Sequence, residues 1–260
     1  MEIIGLRAFT DNYIWILRDR GYAVAVDPGD AAPVIEYLKH SGDTLSALLL
    51  THHHPDHVGG VAPLLERAEI PVFGPAAENI AGVNRPLHGG ETLSLPGLAS
   101  DFTVVPVPGH TRGHVAYYRP NVLLCGDALF TLGCGRLFEG TPAQMFASLQ
   151  RIAALPPETM IYCAHEYTRL NLPFALSVEP DNATLQQRAT QLQQSIADGK
   201  PTVPMRLADE LATNPFLRMH SRGVIATARR NGADEAAPVT EIFAAIRRLR
   251  DGFKPPTPPT

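Results

Sequence analysis

The chain has 260 residues, of which 45% are hydrophobic and 18% charged, with a net charge of −4 at pH 7. This ordinary globular mix excludes a mainly disordered chain and leaves room for one or two domains with a sizeable core. The charge argues against a general nucleic-acid-binding surface, but it is uneven: residues 1–199 hold 12 Lys+Arg against 20 Asp+Glu (−8), and residues 200–260 hold 10 against 6 (+4).

In chain order, Ile3–Phe9, Tyr13–Arg18 and Tyr22–Val26 are rich in β-branched and aromatic residues and read as strands. Ala32–Lys39 reads as a short helix. Ala47–Thr51 is an apolar run too short for a helix, hence a buried strand, followed by a helix over Val58–Ala68. Phe102–Val107, Val115–Arg119 and Val122–Cys125 read as further strands. Thr141-Pro142 marks a helix start, with Thr as N-cap and Pro at the first helical position, running to about Ala154. Met160–Cys163 reads as one more strand. Thr184–Ala197, Gly223–Arg230 and Thr240–Arg250 are helical, no strand signal is strong there, and Lys254–Thr260 is Pro-rich and expected to be loose. The texture changes near residue 170, so a mixed α/β domain over 1–170 and a helical one over 171–260 are expected.

The cysteines are Cys125, Cys134 and Cys163, an odd and sparse set that is a poor disulfide framework and fits a reducing compartment. Met1–Trp15 lacks the basic-then-apolar pattern of a signal peptide, and no apolar stretch approaches the roughly 18 residues of a membrane span. A cytoplasmic location is expected.

Four histidines and an aspartate fall in THHHPDHVGG, directly after a predicted buried strand: His52, His53, His54, Asp56 and His57. On extended chain, side chains alternate, so His52, His54 and Asp56 share one side and His53 points away. His57, at the turn into the next helix, can swing back to the Asp56 side. Imidazole and carboxylate without thiolate favour Zn, Fe or Mn. Four ligands so close serve two ions roughly 3.5–4 Å apart better than one. More ligands then belong at other strand ends, where α/β proteins build sites. His110 and His114 in PGHTRGH, Asp127 in LLCGDALF and His165 in YCAHEYT all fall just past predicted strands.

This order of motifs resembles the metallo-β-lactamase superfamily. Within it, FTDNYIWIL, PGHTRGH, GDALFTLGCGRLFEGT, CAHEYT, the NPFLR at Asn214–Arg218 and the ending RRLRDGFK are similar to glyoxalase II, the hydroxyacylglutathione hydrolases, along nearly the whole chain. The resemblance implies a four-layer αββα sandwich with a C-terminal α-helical domain. It implies one metal held by His52, His54 and His110, another by Asp56, His57 and His165, and Asp127 bridging both, with Zn as the expected metal and Fe or Mn as alternatives. His53 and His114 match positions that are not family ligands. Asp27 either orients a ligand histidine or caps the turn before Pro28.

The same resemblance places glutathione contacts at Arg136, Phe138, Tyr167, Arg247 and Arg250. Arg136 stands where the family commonly has Lys, and the two cations are not interchangeable. Phe138 stands where the family usually has Tyr, which removes a hydroxyl and about 0.5–1.5 kcal/mol of hydrogen bonding. The implied activity is hydrolysis of S-D-lactoylglutathione to D-lactate and glutathione, the second step of methylglyoxal detoxification, by attack of a metal-bridging hydroxide, with Asp56 and Asp127 as the catalytic carboxylates. The expected partner is this small molecule alone, with no nucleic acid, no membrane and a monomeric chain. The alternative on the same fold is a glutathione persulfide dioxygenase with a single iron, which needs only two His and one Asp. A nuclease fits poorly with the acidic first domain, and a non-catalytic metal module is expected only if a ligand were missing.

Overall fold

The structure, a computed structural model, describes residues 1–254; most of the Pro-rich end lies outside the described residues. Among these residues two six-stranded sheets form. The first contains β1 (Glu2–Ala8), β2 (Asn12–Asp19), β3 (Tyr22–Val26), β4 (Thr44–Leu49), β5 (Val72–Pro75) and β6 (Arg85–Leu87), in that spatial order. The second contains β7 (Thr92–Leu93), β8 (Phe102–Pro106), β9 (Val115–Arg119) and β10 (Val122–Gly126), and beyond β10 it adds β13 (Met160–Cys163) and β14 (Met205–Arg206). A small hairpin, β11 (Leu129–Phe130) and β12 (Gly133–Cys134), stands apart.

The run Asn12–Leu17 is buried throughout because its strand is covered on both faces. Tyr13, Trp15 and Leu17 pack with Phe102, Val104, Tyr117 and Leu123 of the other sheet. Ile14 and Ile16 pack instead with Val34 of α1 (Ala31–Ser41) and with Val61 and Leu64 of α3 (Val61–Leu65). The period-2 alternation of one strand thus builds two of the layer boundaries. On the far side, Met145, Leu149 and Ile152 of α4 (Pro142–Ala153) and Phe243 and Ile246 of α9 (Val239–Gly252) extend the central core. The αββα sandwich is the one expected. At one end the sheets are tied together, with Trp15 Nε1 donating to Cys163 O at 3.0 Å and Tyr13 N to Ala164 O at 2.7 Å.

Several elements differ from expectation. The helix predicted over Val58–Ala68 is two short ones, α2 (Pro55–Val58) and α3, because Gly60 N donates to Pro28 O between them. The helix α5 (Thr168–Val178) runs across residue 170 and carries Pro173 in its interior, which hid it from a propensity reading. The C-terminal part is helical through α5, α6 (Ala183–Ala197), α7 (Leu207–Thr213), α8 (Arg222–Arg230) and α9. It also returns a strand, since β14 pairs with Met160 and Ile161. Two residues inside the Pro-rich PTVPMR are too few to carry a strand pattern. The start at Thr141 is a full capping box with Gln144, as the Thr-Pro signal implied.

Candidate metal centre

The strand ends β4, β10 and β13 and the loop after β8 open at one edge of the sandwich, and there the predicted ligands meet. His52 Nε2 and His110 Nε2 each lie 3.0 Å from His54 Nδ1. A second group forms from Asp56, His57 and His165: Asp56 Oδ2 is 3.6 Å from His57 Nε2 and 3.4 Å from His165 Nε2. Asp127 lies between the groups with its oxygens divided. Oδ2 is 3.3 Å from His110 Nε2, while Oδ1 is 3.5 Å from His57 Nε2 and 3.4 Å from His165 Nε2.

These spacings suit divalent cations. Ligand atoms on bonds of about 2.0–2.1 Å around a tetrahedral ion stand roughly 3.3 Å apart. Two of the converging atoms, His57 Nε2 and Asp127 Oδ1, are buried without a hydrogen-bond partner. A buried polar atom left unpaired is costly, and a cation between them removes that cost. The donor set therefore fits a divalent metal centre.

The buried histidines of the two groups are oriented from behind through Nδ1, as metal-binding imidazoles commonly are, with Thr51 Oγ1 3.0 Å from His52 Nδ1. Asp27 Oδ2 lies 3.1 Å from His57 Nδ1 and also accepts from Thr51 Oγ1, while its Oδ1 accepts from Thr51 N at 2.8 Å. Asp27 therefore orients a ligand histidine rather than only capping its turn. His110 Nδ1 donates to Arg136 O at 2.8 Å, and His165 Nδ1 meets Asp11 Oδ1 at 2.8 Å. Asn12 Nδ2 donates to Asp56 Oδ2 at 2.9 Å. His114 accepts from Asp127 N at 3.1 Å and stacks on His52. His53 turns away, its ring held between Glu78 and Glu139. Gly29 lets the ligand loop lie on the Asp27 turn, because a Cβ there would sit 1.8 Å from Asp56 O.

The two groups differ in charge. Burial, reinforced by neighbouring histidines, holds His52 well below the ordinary histidine range, and burial also lowers His54 and His110. Burial acts against charge at His57 and His165 as well, but the carboxylates prevail there. Asp127 and Asp27 raise His57, and Asp127 leads in pushing His165 up to about 11. Burial would raise Asp127, yet the facing histidines hold it far below the carboxylate range.

A cavity of about 470 Å³ opens over the centre, and its walls include Phe130, Arg136, Phe138 and Tyr167. Tyr167 stacks on His165 with ring centroids 4.5 Å apart. Phe138 is 61% exposed and stands edge-on to His54 at 5.3 Å. Arg247 and Arg250 are not on this wall. Arg247 is only 6% exposed, and donates to Cys134 O at 3.0 Å and to Asp251 Oδ1 at 2.9 Å. Arg250 is turned to Asn171 Oδ1 at 3.1 Å. The expected pair of substrate cations is thus engaged with protein groups, because helix α9 packs its Arg247 face into the core.

Asp11, Asn12, Glu78 and Glu139 were not singled out by the sequence reading. Asp11 and Asn12 lie within FTDNYIWIL, so a signal for them existed. Glu139 likewise lies within GDALFTLGCGRLFEGT, while Glu78 carries none, since it falls in no motif and in no ligand-like spacing.

The chain belongs to the metallo-β-lactamase superfamily, whose family model matches residues 8–165. Residues 166–253 match the model described as hydroxyacylglutathione hydrolase C-terminus, and the chain belongs to that family of enzymes. It is 53% identical to the hydroxyacylglutathione hydrolase of Dechloromonas aromatica (strain RCB), over 97% of this chain and 100% of the relative. It is 51% identical to that of Methylobacillus flagellatus, over 97% of this chain and 99% of the relative. Among solved structures it is similar to TTHA1623 in a di-iron-bound form, with 32% identity and a TM-score of 0.55, covering 64% of this chain and 92% of that one.

Proposed function

We propose that the chain is a metal-dependent thioesterase that hydrolyses S-D-lactoylglutathione and related 2-hydroxyacylglutathiones, releasing the hydroxy acid and glutathione. The observation that carries this reading is the pair of ligand groups sharing the divided carboxylate of Asp127 beneath one open cavity. Family membership across nearly the full chain supports the thioester substrate.

His52, His54 and His110 would hold one divalent ion, Asp56, His57 and His165 the other, with Asp127 shared. Zn is the metal proposed, a choice the imidazole and carboxylate donors support, and the di-iron form of TTHA1623 supports two ions. When bound, such ions acidify a water and stabilise charge developing on a carbonyl oxygen.

The remaining work falls to the chain's own groups. Asp56, fixed by Asn12, faces the space between the histidines and can orient a water there. Burial raises the Tyr167 phenol, so it stays protonated and able to donate to substrate. Arg136 supplies a positive rim for an anionic thiol carrier, and Phe138 offers a ring without a hydroxyl. The leaving thiolate, with a parent pKa of about 8.5, needs little help from an acid.

Residues 1–170 would then act as the catalytic part and 171–260 as the part that completes the substrate site. A monomer is the state proposed, since the seven donors of the two groups suffice within one chain. No helix among the described residues is long and apolar enough to cross a membrane. The free, buried Cys125, Cys134 and Cys163 support a cytoplasmic location. A persulfide dioxygenase would leave the His52–His54–His110 and Asp56–His57–His165 groups half unused.

The test is steady-state hydrolysis of S-D-lactoylglutathione by purified protein with metal content measured alongside. Turnover that a chelator abolishes and Zn restores is expected. Protein that binds two ions per chain yet leaves the thioester intact would overturn the substrate.

A further inference from the structure

The hairpin β11–β12 runs between Asp127 and Arg136, and it carries more of the centre than its length suggests. Asp127 begins it. At its other end Arg136 O accepts from His110 Nδ1 at 2.8 Å. Gly135 lies so close under the ligands that a Cβ there would meet Asp127 O at 2.0 Å and His110 Nδ1 at 3.1 Å. A shift of this hairpin therefore moves Asp127 and His110 together.

Five consecutive residues of the hairpin use a backbone group on a side chain from the C-terminal part. Asn214 Nδ2 donates to Phe130 O at 3.2 Å and to Gly133 O at 3.0 Å. Asn171 Nδ2 donates to Thr131 O at 3.0 Å, and Arg247 Nη1 to Cys134 O at 3.0 Å. Leu132 N donates to Glu210 Oε2 at 2.9 Å. Leu132 is fully buried with φ of +57°, a conformation disfavoured for a leucine that needs support from its surroundings. Glu210 and Asn214 are themselves fully buried and bonded to each other at 2.9 Å, and Arg188 pairs with Glu210.

We infer that Asn214, with Glu210, is a positioning residue of the metal centre: through the Leu129–Cys134 hairpin it sets Asp127 and His110 from the helical end of the chain. This gives the NPFLR segment a role, and it makes the C-terminal part a builder of the centre. The inference rests on the metal-centre reading above.

Full-length Asn214→Ala, loaded with Zn, tests it. Zn release to a chromogenic chelator is titrated, with kcat and KM for the thioester measured in parallel. Removing a group that orients a ligand commonly weakens metal affinity by about 10–100-fold. A weakening in that range is expected for the less tightly held ion, with kcat falling and KM changing little. Val34→Ala, on the far helical layer, serves as a control of lowered stability and is expected to keep wild-type Zn affinity. A folded Asn214→Ala protein that holds Zn as the wild type does would overturn the inference, as would equal loss in the control. If Asn214→Ala does not fold, Glu210→Gln, which keeps the side chain's shape, takes its place under the same two outcomes. Wild-type protein that holds no Zn would instead overturn the metal reading beneath it.

Discussion

The sandwich and the helical end build one cavity by different means. The sandwich sends side chains to a point in space: His52, His54, His110, Asp56, His57, Asp127 and His165 aim their polar atoms at one another. The helical end sends side chains to backbone: Asn171, Asn214, Glu210 and Arg247 pair with the peptide groups of a hairpin that belongs to the sandwich half. The first arrangement gathers donor atoms that fit a divalent cation. The second is scaffolding, and its effect on the reaction passes through Asp127 and His110.

The sharpest way to break that comparison is to remove the atom pair both halves serve. Asp127→Ala deletes a carboxylate whose two oxygens face the two ligand groups. Loss of Zn and activity together is expected, by more than the roughly 100-fold that loss of an orienting residue costs. Metal analysis and turnover of the same preparation check this, and full activity with two ions retained would sink the assignment.

What could be read from sequence follows the same division. Candidate ligands have few residue types and fall where strands end, so the convergence of THHHPDH, His110, Asp127 and His165 was legible from spacing and strand ends, while setting His114 aside from His110 took the family resemblance. The β-branched and aromatic run Tyr13–Arg18 gave a strand, and Thr141-Pro142 a helix start. Braces are harder. Glu78 holds His53 N at 3.0 Å and Gly113 N at 2.6 Å, tying two ligand loops together, yet nothing in AAE sets it apart from a surface glutamate. Asn214 and Asn171 act on carbonyls that are distant in sequence, and only the folded chain brings them together. The short strands β5, β6, β7 and β14 were missed because two to four residues hold no period.

Arg247, expected as a substrate contact, has protein partners of its own. Its place in RRLRDGFK suggested a cation facing substrate, whose loss would raise KM through uniform binding. Its side chain is instead enclosed, over the Phe216 ring at 5.1 Å, with Cys134 O and Asp251 as partners. Arg247→Ala leaves a buried carbonyl unpaired, so a loss of about 1–3 kcal/mol of folding stability is expected. Denaturant unfolding checks this. A change in KM with unchanged stability would restore the substrate role.

The smallest expected effect lies at the cavity mouth, whose walls come from the sandwich half. Phe138 is exposed, stands edge-on to His54 and His110, and has the Arg136 guanidinium 5.9 Å from its ring centre. Phe138→Tyr adds one hydroxyl at a wall that already has the ring, and little else need move. One added neutral hydrogen bond contributes about 0.5–1.5 kcal/mol, or roughly 2–13-fold in affinity. KM for the glutathione thioester is therefore expected to fall by a factor in that range while kcat stays nearly constant, because the new bond serves ground state and transition state alike. A fall in kcat would mean that the hydroxyl reaches the reacting centre. An unchanged KM would mean that glutathione passes Phe138 by, leaving Arg136 and Tyr167 to hold the thiol carrier.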